Sequence, residues 1–287
     1  MAIETESIAL LSSDLDTIAL ATSSWGKETP RALLIHGLGD GGFAWDAFIS
    51  HASAELSGVS LDLRGHGDSP WDPLQRYGTD VLAADVIRVI DTLGLRDLAL
   101  IGHSLGAEVA TRVAAARPDR TRALVLVEGG PELEHGAARL IRQQMQATPR
   151  KYDAVMEFQA ILAVRYPIAD PTTLRLYATR ALRPARDGRI EPKLDPAFLM
   201  GMQLLDCASY WASLTTVCCP ILLVRGQLSS VLTHHKADLL RRRLRDCAHA
   251  LVANAGHAVP IENPRGLYDT VAPWLAQVTA NPIEAGC

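Results

Sequence analysis

Apolar and polar positions along the chain fall into two regimes. The opening stretch is apolar but broken by serine and aspartate. Two β-like segments, near residues 7–11 and 17–22, flank Ser-Ser-Asp, a turn composition, and predict a hairpin. From residue 32 the pattern becomes regular. Short continuous apolar runs at 32–36 (ALLIH), 59–63, 98–101 and 123–127 (ALVLV) alternate with stretches whose apolar residues recur at helical spacing. Val81, Leu82, Val86, Val89 and Ile90 mark a helix over 77–93. An alanine-rich stretch over 105–116, stopped by Arg117-Pro118, marks another. Apolar runs of this length between helices are strands buried on both faces of a parallel sheet. Their alternation predicts an α/β layer architecture.

The rhythm stops after Val127. Residues 131–211 read as irregular helix, punctuated by Pro149, Pro167, Pro171, Pro184, Pro192 and Pro196. It then resumes with a strand at 221–224, a helix at 233–244, a strand at 248–252 and a helix at 264–278. Neither flank has enough strands to close a sheet alone. The expectation is therefore one core, 1–130 and 212–287, interrupted by a helical cap at 131–211.

Composition narrows the function. The 287 residues are 48% hydrophobic and 21% charged, an ordinary globular balance, and the net charge is −4. Such a chain has no overall attraction for phosphate backbones or anionic lipid. The N-terminus lacks a basic start and a long apolar run, and no segment reaches the roughly 18 uncharged apolar residues of a membrane span. A soluble, cytoplasmic protein with neither nucleic acid nor membrane as partner is expected. Cys207, Cys218, Cys219, Cys247 and Cys287 show no metal-ligand spacing, and free thiols are expected of them. No GxxxxGK[ST] and no HExxH occurs, so neither metal nor cofactor is anticipated.

The chemistry lies in three strings. Gly102-His103-Ser104-Leu105-Gly106 matches G-x-S-x-G, follows the strand at 98–101 and opens the helix at 105–116. That strand–turn–helix setting is what a nucleophile elbow requires, and it makes Ser104 the candidate nucleophile. A serine hydroxyl needs a base and a site for the developing oxyanion. His257, in Asn254-Ala255-Gly256-His257, follows the strand at 248–252, and loops at the carboxyl ends of parallel strands are where α/β sites form. Of the other histidines, His51, His135, His234, His235 and His249 read as surface, strand or helix residues, and His66 as structural. His36-Gly37-Leu38-Gly39 follows the first strand of the α/β region. There the amide of Leu38 can join that of Leu105 as an oxyanion donor.

The strings HGLG (36–39), DLRGHGDS (62–69), GHSLG (102–106) and AGHAVPIENP (255–264) together resemble the α/β-hydrolase superfamily over nearly the whole chain. The resemblance implies a mostly parallel eight-stranded sheet with helices on both faces, a helical cap after Val127 and acyl-type chemistry. Serine at the elbow argues against the haloalkane dehalogenases and epoxide hydrolases of this fold, which use aspartate there.

One member of the expected triad is missing. Relatives usually place its acid in the loop after the strand before last, here 227–232, where Ser230 stands at the expected aspartate position. A second family location, the end of the strand after the nucleophile helix, holds Glu128. In this the chain resembles the zearalenone-type lactonases. An unpaired carboxylate ending a buried apolar strand would be costly, and a histidine partner gives it a reason to exist. Asp206 is the next candidate, and a water-supported Ser–His dyad the third.

These residues imply a serine hydrolase acting on a small apolar or aromatic ester or lactone. Met145, Tyr152, Met156, Phe158, Tyr166, Tyr177, Phe198, Met200, Met202 and Trp211 supply apolar surface in the cap for such a substrate, or for packing cap on core. Thioester hydrolysis, carbon–carbon bond hydrolysis and acyl transfer use the same groups and stay open. So do homodimer formation and a non-enzymatic ligand receptor on the same fold.

Overall fold

A computed structural model describes residues 4–7, 18–134, 136–201, 206–244 and 246–280. Among the described residues there are ten strands: β1 (Glu4–Ser7), β2 (Ala21–Trp25), β3 (Ala32–Ile35), β4 (Gly58–Leu61), β5 (Leu98–His103), β6 (Thr121–Val127), β7 (Leu182–Pro184), β8 (Ile190–Pro192), β9 (Ile221–Gly226) and β10 (Cys247–Val252). All but β7 and β8 form one eight-stranded sheet in the order β1-β2-β4-β3-β5-β6-β9-β10. β4 through β10 of that series run parallel, and β1 and β2 are antiparallel additions at one edge. An antiparallel pair opens the chain, with Ser7 opposite Ala21, but it is displaced from the expected hairpin: β1 shares only Ser7 with the first expected strand, and β2 only Ala21 and Thr22 with the second. The rest of the first expected strand lies outside the described residues.

Strand residues alternate between two cores, because side chains of a strand point to opposite faces. Leu33 and Ile35 pack with Val86 of α2 (Thr79–Thr92) and Val109 and Val113 of α3 (Leu105–Ala116). Ala32 and Leu34 face Phe48 and Ile49 of α1 (Asp46–Ala52) and Leu267, Val271 and Leu275 of the C-terminal helix Pro264–Ala280. Burial on both faces is why β3 and the end of β6 are apolar without alternation. Helix α3 stops at Arg117 because the following Pro118 cannot continue it.

Between β6 and β9 run α4 (Ala137–Ala147), α5 (Val155–Arg165), α6 (Pro171–Ala181), the β7–β8 hairpin, α7 (Pro196–Gly201) and α8 (Cys207–Leu214). Asp170 caps α6 by accepting from the amides of Thr172 and Thr173, and Pro171 occupies its first turn. Phe158, Leu162, Leu174 and Tyr177 of α5 and α6 form a small core of their own. It closes onto Phe43 and Ala44, after β3, and onto Ala258 and Ile261. The helical segment is thus seated on the loops at the carboxyl ends of the strands. After β9 come α9 (His234–Arg243), β10, α10 (Val259–Glu262) and α11 (Pro264–Ala280).

The cysteines depart from expectation at one position: Cys219 and Cys247 are free thiols, but Cys218 is disulfide-bonded, and Cys287 lies outside the described residues. No helix among the described residues is long and apolar enough to cross a membrane.

Candidate active site

The elbow is built by close packing. Ser104 sits between β5 and α3 with φ 52° and ψ −114°, a conformation that non-glycine residues rarely adopt. Its amide donates to the Val127 carbonyl at 3.0 Å, which locks the turn onto β6. The flanking glycines are needed for clearance. A Cβ on Gly102 would lie 2.2 Å from the Gly106 carbonyl oxygen, and one on Gly106 would lie 2.2 Å from that of Ile35.

His257 and Glu128 meet this serine. Ser104 Oγ stands 3.1 Å from His257 Nε2, and His257 Nδ1 stands 3.1 Å from Glu128 Oε2. A carboxylate only accepts, so Nδ1 carries the hydrogen and Nε2 is left to accept from the serine hydroxyl. Burial holds His257 below the ordinary histidine range. The hydrogen bond to Glu128 works against that shift, and the neighbouring His103 adds to it. The ring is therefore neutral, as a base must be, over a wider acid range.

Glu128 ends β6 with φ 53° and is fully buried. Its Oε1 accepts from the Gly226 amide at 2.8 Å, and its Oε2 accepts from the Ser229 hydroxyl at 2.6 Å as well as from His257. Three donors satisfy a carboxylate in an apolar setting. The other acid candidate is elsewhere: Asp206 is exposed and caps α8 through the Ser209 amide.

In the loop after β9 the structure shifts attention by one residue. Ser230, at the expected aspartate position, is exposed, whereas Ser229 is buried and faces Glu128. Ser229 Oγ also accepts from the amides of Val231 and Leu232, at 3.1 and 3.2 Å. Leu38 lies in the loop after β3 and Leu105 at the first position of α3. Both are half-buried and packed against the main core.

Other residues close the site. Glu262 of α10 accepts from the Gly256 amide at 2.7 Å and so braces the loop carrying His257. Asp40, the residue after HGLG, and His103, inside GHSLG, are buried beside it. Met145 of α4 reaches over the HGLG loop: a Cβ on Gly39 would lie 2.1 Å from its terminal methyl. Part of the apolar inventory instead packs the helical segment on the core, and Met202 lies outside the described residues. Phe198 lies against His66 and Tyr77, Tyr177 against Phe43, and Met156 and Met200 point to solvent. Among the described residues no group of three or more His, Cys, Asp or Glu side chains could hold a metal ion.

An elbow serine, a late histidine and a parallel sheet of this order define an α/β hydrolase. The chain belongs to the family described as the alpha/beta hydrolase fold, whose profile matches residues 30–264. It is similar to an esterase of Mycobacterium tuberculosis, at 27% identity over 88% of this chain and 85% of that protein. It is also similar to the 2-(acetamidomethylene)succinate hydrolase of Mesorhizobium japonicum, at 26% identity over 88% and 89%. A crystal structure of an E-2-(acetamidomethylene)succinate hydrolase superposes with a TM-score of 0.84 over 96% of this chain and all of that one, at 24% identity. The protein is a hydrolase of this superfamily.

Proposed function

We propose that the protein cleaves a carboxylic ester or lactone through an acyl-serine intermediate, with Ser104 as nucleophile, His257 as base and Glu128 as the acid of the triad. The observation that carries this reading is the unbroken chain from Ser104 Oγ through His257 to the buried Glu128, with both links at 3.1 Å. As Ser104 Oγ attacks the carbonyl carbon, His257 Nε2 takes its proton, and Glu128 stabilises the imidazolium through Nδ1–H. The amides of Leu38 and Leu105 receive the oxyanion. The protonated His257 then gives its proton to the leaving alkoxide, which departs as alcohol and leaves the acyl group on Ser104. In the second half a water loses its proton to His257 and adds to the acyl carbon; as the acyl–Oγ bond breaks, His257 returns that proton to Ser104 Oγ and the acid is released.

Esterases among the relatives support the ester reading. Glu128 at the end of β6 supports the lactone reading, since the zearalenone-type lactonases place their acid there. The helical segment at 131–211 acts in this reading as a cap that presents apolar surface to the substrate. The receptor alternative rested on the aspartate missing at Ser230. It loses that support, because the Glu128 carboxylate lies against His257.

A fluorophosphonate probe tests the proposal without knowledge of the substrate. It is expected to label Ser104, and ester and lactone panels then sort the substrates. Ser104→Ala is expected to abolish labelling and to lower turnover by about a million-fold, the scale for loss of a triad nucleophile. A Ser104→Ala protein that keeps a tenth of the activity refutes the assignment.

A further inference from the structure

The loop after β9 joins the acid of the triad to its base. On one side it meets Glu128, whose carboxylate accepts from the Gly226 amide and the Ser229 hydroxyl. On the other it meets the segment that carries His257. The Leu228 amide donates to the Ala255 carbonyl at 2.8 Å, and the Gln227 amide to the Val252 carbonyl at 2.9 Å. Gly226 passes so close to this segment that a Cβ there would lie 2.0 Å from the Gly256 carbonyl oxygen. Glu128 and His257 are 129 positions apart in the chain. Residues 226–229 are therefore a bridge, and its shape sets how the carboxylate meets the imidazole.

The reaction does not use the residue on which this bridge is folded. Arg225, the second-last position of β9, is buried, with 9% of its surface exposed. Its Nε donates to the Leu232 carbonyl at 2.6 Å, its Nη2 to the Ser229 carbonyl at 3.0 Å and its Nη1 to the Gln227 carbonyl at 3.4 Å. Those acceptors are the first, third and last residues of the loop 227–232. Carbonyls turned inward need donors, and a guanidinium offers several in one rigid fork and accepts nothing. Among the described residues Arg225 forms no ion pair, so carbonyl dipoles alone meet its charge. A buried cation without a counter-charge is costly, and an apolar side chain would fill the same space at less cost. Packing therefore does not account for an arginine here, whereas the shape it imposes on the loop does.

We propose that Arg225 is a positioning residue for the Glu128–His257 pair. It draws the carbonyls of Gln227, Ser229 and Leu232 onto one centre. With the carbonyls held, the Ser229 hydroxyl is fixed against Glu128 and the Leu228 amide against the strand end that leads to His257. Arg225 touches neither the acid nor the base through these bonds, and acts on both through the loop. This inference rests on the triad reading given above.

The test is the second-order rate constant for fluorophosphonate labelling of Ser104 in the full chain, with folding checked by near-ultraviolet circular dichroism. Arg225→Met fills the space and removes all three donors. Labelling is expected to slow by about a hundredfold, the scale for a small misplacement of catalytic groups. Arg225→Lys keeps a charged donor but not the fork, and is expected to recover about tenfold of that loss. The deciding measurement repeats Arg225→Met in a Glu128→Gln background. A residue that acts only by placing the Glu128 carboxylate against His257 has nothing left to place there, so the further loss is expected to stay within about twofold. A merely structural role would give the same factor in both backgrounds, and that outcome overturns the proposal. So does an unchanged rate in folded Arg225→Met. Where Arg225→Met does not fold, Arg225→Lys carries the same cycle, with a loss of about tenfold alone against about twofold or less in the Glu128→Gln background. Equal losses there overturn the proposal in the same way. Wild-type protein that is not labelled at Ser104, or Glu128→Gln labelled at the wild-type rate, defeats the triad reading and this inference with it. Both of those failures are seen without any change at Arg225.

Discussion

Two buried carboxylate clusters sit near the carboxyl edge of the sheet, and they are built on opposite plans. In the loop after β4, Arg64 donates to both oxygens of Asp85 at 2.7 and 2.8 Å and to Asp72 at 2.6 Å. Arg76 and Arg88 complete the set from the side. Arg64 is 1% exposed, and both aspartates are fully buried. Every charge there has an opposite charge in contact, so nothing is left over for chemistry. Around Glu128, among the described residues, no Arg or Lys forms an ion pair. Its donors are an amide, a hydroxyl and one imidazole, and that imidazole is 22% exposed. A cluster neutralised by arginine holds a loop in place. A carboxylate satisfied by neutral donors keeps its charge available to a histidine that changes protonation state.

The sharpest way to break this contrast is to remove one charge from each cluster. Glu128→Gln preserves shape but takes away the charge that stabilises the His257 imidazolium, and its amide can hold the ring in the wrong tautomer. A fall in kcat of roughly ten-thousand-fold is expected, with little loss of thermal stability. Near-normal kcat would remove Glu128 from the triad. Asp85→Ala should do the reverse. Arg64 and Arg88 lose a buried partner, so stability should fall by roughly 3–5 kcal/mol in denaturant titration, with kcat per folded molecule retained. A Glu128→Gln protein that unfolds, beside an Asp85→Ala protein that is stable but inactive, would invert the assignment of roles.

How much of this was legible follows from how far apart the partners lie in the chain. The strands of the core were readable because burial on both faces removes polar positions, and Ser104 and His257 because each sits in a short contiguous string. Glu128 was suggested by the superfamily's second acid location, and the structure brings its carboxylate against His257. Ser229 was missed by one position for a local reason. β9 continues to Gly226, two residues past its last apolar position, and the Ser229 amide turns back onto the Gly226 carbonyl at 3.1 Å, which carries 229 inward and leaves 230 outside. The Asp40–Tyr177 bond joins residues 137 positions apart, and no spacing rule connects them. The same holds for the disulfide at Cys218, since cysteine spacing alone does not specify pairing.

A smaller effect comes from acid. His66 lies in the arginine-paired loop, fully buried, with its Nδ1 3.1 Å from the Arg64 carbonyl and its ring against His36 and Phe198. Burial, reinforced by His36, pushes it down to about 3 from an ordinary 6.5. A histidine depressed in the folded state binds its proton only on unfolding. Its penalty is absent above pH 6.5 and grows as pH falls from there toward 3. Between pH 6.5 and 5 the loss is about 2 kcal/mol, at roughly 1.4 kcal/mol per unit. His66→Phe should flatten the stability profile in that window by this amount relative to wild type. An identical slope in the two proteins would show that His66 titrates normally.

The finest distinction concerns the two serines after β9. Ser229 donates a short hydrogen bond to Glu128 Oε2, and its own Oγ accepts from two loop amides. Removing that hydroxyl has two opposed consequences. The carboxylate loses a donor and becomes a stronger acceptor for the imidazolium, but it also loses one of the points that fix it, and the loop amides lose their acceptor. The Gly226 amide holds only Oε1, so the oxygen facing His257 is the one set loose. Loss of position should outweigh the gain in basicity. Ser229→Ala is therefore expected to lower kcat by about tenfold, the equivalent of one charge-assisted hydrogen bond of about 1.5 kcal/mol, and Ser230→Ala to change nothing. The rescue experiment separates the two positions further. In a Glu128→Gln background, Ser229→Asp places a carboxylate at a buried position that faces residue 128, and it should recover part of the lost rate. Ser230→Asp places one in solvent and should not. Recovery by Ser230→Asp alone would mean that the loop turns the other serine toward the base when the enzyme works, and that the inward position of Ser229 is not the catalytic one.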